Sequence, residues 1–84
     1  VFVLPFSYFY NMDIDDFIVV FKESFDDLDA EISATTKFKE MGEWTSMQAL
    51  LLIAHIDDTL GVVLEAEHVR NAQTVQDLFK IVST

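Results

Sequence analysis

The sequence has no cysteine, two glycines and one proline, and five basic residues against fifteen acidic ones. Without cysteine there are no disulfides, thiolate nucleophiles or zinc–thiolate sites. Any thiol chemistry must come from something attached. The same absence fits a reducing compartment, and a cytoplasmic location is expected. So few chain breakers favour long helices over many short strands. The formal net charge is −10. No basic stripe exists to neutralise phosphates, so no nucleic-acid partner is expected. An anionic membrane surface is disfavoured for the same reason, and no membrane association is expected. Such a chain suits a protein partner with a basic patch.

What is there is a chain of 84 residues, 51% hydrophobic, with eight phenylalanines. That length makes one domain with a modest core, and the apolar content argues against general disorder. Residues 1–11, Val1 to Asn11, are apolar and aromatic and carry no charge. They are too short to span a bilayer and lack the basic start of a signal peptide. Met12 opens an acidic, periodic sequence. Residues 1–11 therefore read as an N-terminal extension or a start-site artefact, set apart from a domain at 12–84. The alternative is that they pack on the core or drive self-association.

Ile14, Phe17, Ile18, Phe21, Phe25 and Leu28 recur at spacings of three and four. They predict a first helix from about Asp13 to Leu28, with Asp13 as N-cap and Asp15 and Asp16 favoured by the helix dipole. Residues 29–44 lack a period and read as a loop longer than usual, where function concentrates. Ile32, Phe38 and Met41 are spaced to pin it to the core. Trp44 reads as an anchor of that loop. A second helix is expected from Ser46 to Leu60. Thr45 and Gln48 fit a capping box at its start, and Gly61 is its stop. Leu50 to Ala54 are all apolar, more than a one-sided stripe requires, so part of this helix exposes apolar surface. Residues 62–72 read as a connection with a turn or two of helix. A last helix starts at Thr74, where Thr74-Val75-Gln76-Asp77 is another capping box. The fold class is all-α, a small four-helix bundle of three main helices and one short one.

The segment Phe38-Lys39-Glu40-Met41-Gly42-Glu43-Trp44-Thr45-Ser46-Met47 puts a glycine-containing loop directly before a serine at a helix start. With Thr45 as the cap, Ser46 is the first helical residue and its hydroxyl points outward, unused. A phosphate there lies by free amides at the positive end of the helix dipole. Taken alone, Ser46 reads as an ordinary helix-start residue; the surrounding pattern is what turns the reading toward modification.

In this segment the sequence resembles the acyl carrier proteins, whose pattern is Leu-Gly, two residues, then Asp-Ser-Leu opening the second helix. Here Met41-Gly42 and Glu43-Trp44 are followed by Thr45-Ser46-Met47. Leu52, Ile56 and Leu60 fall at core positions of the family's second helix, and Asp57 and Asp58 match its acidic pair. Gly61-Val62-Val63-Leu64 and Thr74-Val75-Gln76-Asp77 resemble the stretches that follow. The likeness covers about residues 13 to 83. It implies a 4′-phosphopantetheine arm attached to Ser46 by a phosphopantetheinyl transferase, holding an acyl group as a thioester on its thiol. It further implies a monomer that is not an enzyme, serving fatty-acid or related lipid and polyketide enzymes. Partners with basic docking patches are expected on Thr45, Met47, Leu50, Leu51, Ala54, Asp57 and Asp58. Peptidyl or aminoacyl cargo is the alternative, as is a carrier-like interaction module with Ser46 unmodified. Two departures keep the last alive. Thr45 replaces the family's Asp, and Leu51 occupies an often acidic position.

Other chemistry has weaker support. His55 and His68 near Asp57 and Asp58 suggest a metal or a Ser-His-Asp set, but a small helical chain offers little pocket for one. Asp27, Asp29 and Glu31 resemble the opening of a calcium loop. Ile32 stands where its glycine is needed and Phe38 where its bidentate Glu belongs, so no metal site is expected.

Overall fold

The computed structural model describes residues 12–26, 28 and 30–83. Residues 1–11, expected as an extension, lie outside the described residues, as do Asp27 and Asp29 of the calcium-like pattern. The described residues hold four α-helices, α1 (Ile14–Glu23), α2 (Ser46–Leu60), α3 (Ala66–Asn71) and α4 (Val75–Val82), and no strand. A 3-10 turn, Phe38–Glu40, lies in the loop between α1 and α2. The fold is the expected all-helical bundle.

Asp13 starts α1 by a reciprocal box: its carboxylate accepts from the Asp16 N–H at 2.9 Å, and the Asp16 carboxylate accepts from the Asp13 N–H at 3.3 Å. The helix ends at Glu23, short of the expected Leu28. The last turn tightens, with the Ser24 N–H bonded to the Phe21 carbonyl and the Phe25 N–H to the Lys22 carbonyl. The Ser24 hydroxyl donates to the Phe21 carbonyl at 2.7 Å. The Ser24 carbonyl accepts from the Gln48 side chain of α2. Phe25 stays buried beyond the helix end, and its register with Phe21 is what extends the apparent period.

The loop is fixed by its side chains and by α4. Ile32 and Phe38 are buried, and Met41 packs partly buried against the core. The Val75 N–H donates to the Thr36 carbonyl at 3.1 Å and the Gln76 N–H to the Ala34 carbonyl at 2.9 Å. Loop carbonyls thus satisfy amides that the start of α4 leaves without helical partners. The other end of that start is closed by the expected box: the Thr74 hydroxyl accepts from the Asp77 N–H at 3.2 Å, and Asp77 accepts from the Gln73 and Thr74 N–H groups at 2.9 and 3.0 Å. Those two amides, Gln73 first, hold the Asp77 carboxyl below its ordinary range.

α1 packs on α2 and α4, α2 on α3, and α3 on α4, so the helices close around one core. Phe17, Phe21, Phe38, Leu52, Ile56, Leu64, Val75 and Leu78 fill it. Burying each such side chain contributes about 1.5–3 kcal/mol. No helix among the described residues is long and apolar enough to cross a membrane.

Candidate functional site

The site is built from the loop into α2. Phe38 is fully buried and Trp44 stands edge-on to it, with ring centroids 4.9 Å apart at 73°. Trp44 also lies 6.4 Å from Phe25. The Trp44 N–H donates to the Met41 carbonyl at 3.1 Å, folding the chain over Gly42 and Glu43. The tryptophan is thus the expected anchor, and it delivers Thr45 to the start of α2.

Thr45 is the N-cap: its backbone is extended and its hydroxyl accepts from the Gln48 N–H at 3.0 Å. The expected capping box is only half formed. The Gln48 side chain does not reach back to Thr45. It crosses to α1 and donates from Nε2 to the Ser24 carbonyl at 3.1 Å and meets the Ser24 hydroxyl at 3.0 Å. Gln48 faces the core at 7% exposure, the one buried polar side chain among the described residues. A buried amide needs partners, and Ser24 supplies them where a return to Thr45 would have left Ser24's carbonyl unmet. The first turn of α2 is thereby tied to the last turn of α1.

With Thr45 used as cap, Ser46 is left as the first helical residue, solvent-exposed. Its hydroxyl makes no hydrogen bond to any described residue. A groove of about 620 Å³ opens beside it between α2 and α3. Ala49, Leu50, Ile53, Ala66 and Val69 make its walls apolar, and Lys39 and Arg70 bring cations to its lining.

At about 100° per residue, Ser46, Met47, Leu50, Leu51, Ala54, Asp57 and Asp58 share an arc of α2 about 140° wide. All seven are exposed, as is Thr45 before them. Met47, Leu50 and Leu51 are 64%, 60% and 47% exposed, the apolar surface that the run of Leu50 to Ala54 predicted. Leu52, Ile56 and Leu60 take the opposite, buried side.

The histidines are engaged elsewhere. His55 meets Glu23 at 3.3 Å, linking α2 to α1, and His68 Nδ1 accepts from the Glu65 N–H at 3.1 Å. No group of three His, Asp or Glu side chains placed to hold a metal occurs among the described residues.

A family model described as phosphopantetheine attachment site matches residues 20–82, well over half of the chain. The chain belongs to this family. It is a carrier domain whose cofactor is covalently attached 4′-phosphopantetheine. Domains of this family act as carriers and leave the catalysis to other proteins. No curated protein and no solved structure matches the chain. The residues present fit the group. A free serine hydroxyl lies at the positive end of a fifteen-residue helix, beside a groove with apolar walls. Once attached, the group supplies the thiol that a chain without cysteine lacks.

Two features escaped the sequence. The sequence around Gln48 spells a local cap, and nothing in its neighbourhood points to Ser24. Lys39 and Arg70 are 31 residues apart, and no periodicity brings them together.

Proposed function

We propose that this carrier holds acyl groups as thioesters on an arm attached to Ser46. In this reading it works in the cytoplasm and presents its cargo to fatty-acid or related lipid and polyketide enzymes. The observation that carries the assignment of Ser46 is the division of labour at the start of α2. Thr45 takes the capping role, so the Ser46 hydroxyl is exposed, unbonded and available as the acceptor. The groove beside it has apolar walls suited to an acyl chain. Strong acidity favours acyl over peptidyl or aminoacyl cargo, by family analogy.

We place the docking of partners on the exposed arc of α2. Asp57 and Asp58 lie in the last turn, where acidic charge opposes the helix dipole. They suit a basic partner better than they suit the helix. Met47, Leu50 and Leu51 add an apolar centre, which fits a dedicated partner.

One observation favours a second reading, an interaction module in which Ser46 stays unmodified. Thr45 stands where the resembling family has Asp, so no carboxylate precedes Ser46 to recruit the modifying transferase. Intact mass after incubation with coenzyme A, magnesium and a broad-specificity phosphopantetheinyl transferase decides between them. The expected result is a gain of one phosphopantetheine by the parent and none by Ser46→Ala. No gain by folded parent with several transferases would overturn the first reading, and a gain by the Ser46→Ala variant would place the arm elsewhere.

A further inference from the structure

Two of the chain's five basic residues, Lys39 and Arg70, line the groove that opens beside Ser46. Lys39 Nζ donates to the Arg70 carbonyl at 2.6 Å, across 31 residues of sequence. That bond ties the turn ahead of α2 to the C-terminal end of α3. It uses the backbone of Arg70 and leaves its side chain uncommitted. The guanidinium has no partner among the described residues, in a chain of fifteen acids. Lys39 spends one of its three donors on the bond. Lys39, Arg70 and Ser46 therefore line one groove whose walls are mostly apolar.

We infer that Lys39 and Arg70 are positioning residues that grip the phosphodiester joining the arm to Ser46, laying the arm along the groove instead of out in solvent. The inference rests on Ser46 being the attachment point. A phosphodiester on Ser46 is fixed within a few bonds of the hydroxyl that borders the groove, whereas an acyl group lies a full arm's length away. The phosphate is therefore the one anion set at the groove these cations line. A guanidinium offers a planar, bidentate match to phosphate oxygens, and the ammonium adds a point charge. The site is open to solvent, so the grip is weak and sensitive to salt.

The test compares the full chain with Arg70→Gln, Arg70→Lys, Lys39→Gln and, as a control on α1, Lys22→Gln. Intact mass first establishes that each is loaded. The 31P resonance of the loaded protein is then followed against sodium chloride, and the reaction rate of the terminal thiol is measured with a neutral maleimide. For the parent, the resonance should move with salt as the contact is screened. Arg70→Gln should begin near the high-salt position and react about 1.5- to 5-fold faster, the range expected for an exposed ion pair. Arg70→Lys should restore part of both effects, and Lys22→Gln should match the parent. Arg70→Gln keeps the carbonyl that Lys39 uses, so its effect is separable from loosening of the loop. Loaded parent and Arg70→Gln with the same 31P salt profile and thiol rate would overturn the inference and leave the attachment site standing. Failure of the parent to load would remove the attachment reading, and the inference with it.

Discussion

Replacing Gln48 with Glu separates two accounts of how α2 begins. At the third helical position Glu and Gln are both capping-box residues, and Glu is also favoured by the dipole, by about 0.3–1 kcal/mol. A side chain reaching back to Thr45 would therefore make Gln48→Glu neutral or stabilising. The structure places the Gln48 amide against the Ser24 carbonyl at 3.1 Å and the Ser24 hydroxyl at 3.0 Å, and that hydroxyl already donates to Phe21. A carboxylate there has no proton to give. It leaves a part-buried carbonyl unmet and sets a charge against it, costing about 2–3 kcal/mol. The dipole returns part of this, for a net loss of about 1–2.7 kcal/mol. In a domain of this size that lowers Tm by about 4–22 °C. Thermal unfolding followed by circular dichroism measures it. The deficit should shrink as pH falls through the ordinary carboxylate range, because a protonated side chain regains a donor. A Tm at or above that of the parent at neutral pH would refute the inter-helix bond and restore the capping box.

The two glycines should behave oppositely. Gly61 has φ +70°, so Gly61→Ala should cost about 1 kcal/mol. Gly42 has no positive φ, and no atom lies within 4 Å of an added Cβ, so Gly42→Ala should stay within about 0.5 kcal/mol of the parent. Equal losses in urea unfolding would contradict this assignment of roles. Leu51→Glu, at a half-exposed position clear of the core, should leave Tm nearly unchanged. It should weaken binding to the cognate acyl-processing partner about fivefold, the effect of about 1 kcal/mol at an apolar contact; an unchanged Kd in calorimetry would move docking off this face.

The helices that declare their own ends were legible in the sequence. α2 runs from Ser46 to Leu60 because Thr45 and Gly61 are local signals that a neighbour does not override. The start of α4 is likewise written in four consecutive residues. Helix α1 ends early, at Glu23, where Ser24 is tied to Gln48 of α2, a contact with no local trace. The pinning of the loop was legible from Ile32 and Phe38. Its hydrogen bonds to α4 were not, since they run from backbone to backbone and carry no residue signature. The exposure of Ser46 and of the arc was legible, because one follows from the Thr45 cap and the other from helical spacing. The groove's cations were not, because only the tertiary fold joins Lys39 to Arg70.

The buried and exposed sides of α2 obey different rules. On the buried side the positions agree with folding: Leu52, Ile56 and Leu60 fill the core, and the Gln48 side-chain NH2 group is bonded to Ser24. On the exposed side the helix breaks rules that stability alone would enforce. Met47, Leu50 and Leu51 leave apolar surface in water. Asp57 and Asp58 set negative charge at the helix's negative end. Such departures mark functional surfaces when they gather in one place. Here they gather on the arc that begins at Ser46, and the same arc borders the groove through Leu50. An enzyme seated on that arc meets the serine, the mouth of the groove and the acidic end of the helix together. On the docking face proposed above, one geometry would serve both the transferase that loads the carrier and the enzymes that use its cargo. The apolar centre at Leu50 and Leu51 is then the element whose substitution should discriminate between partners.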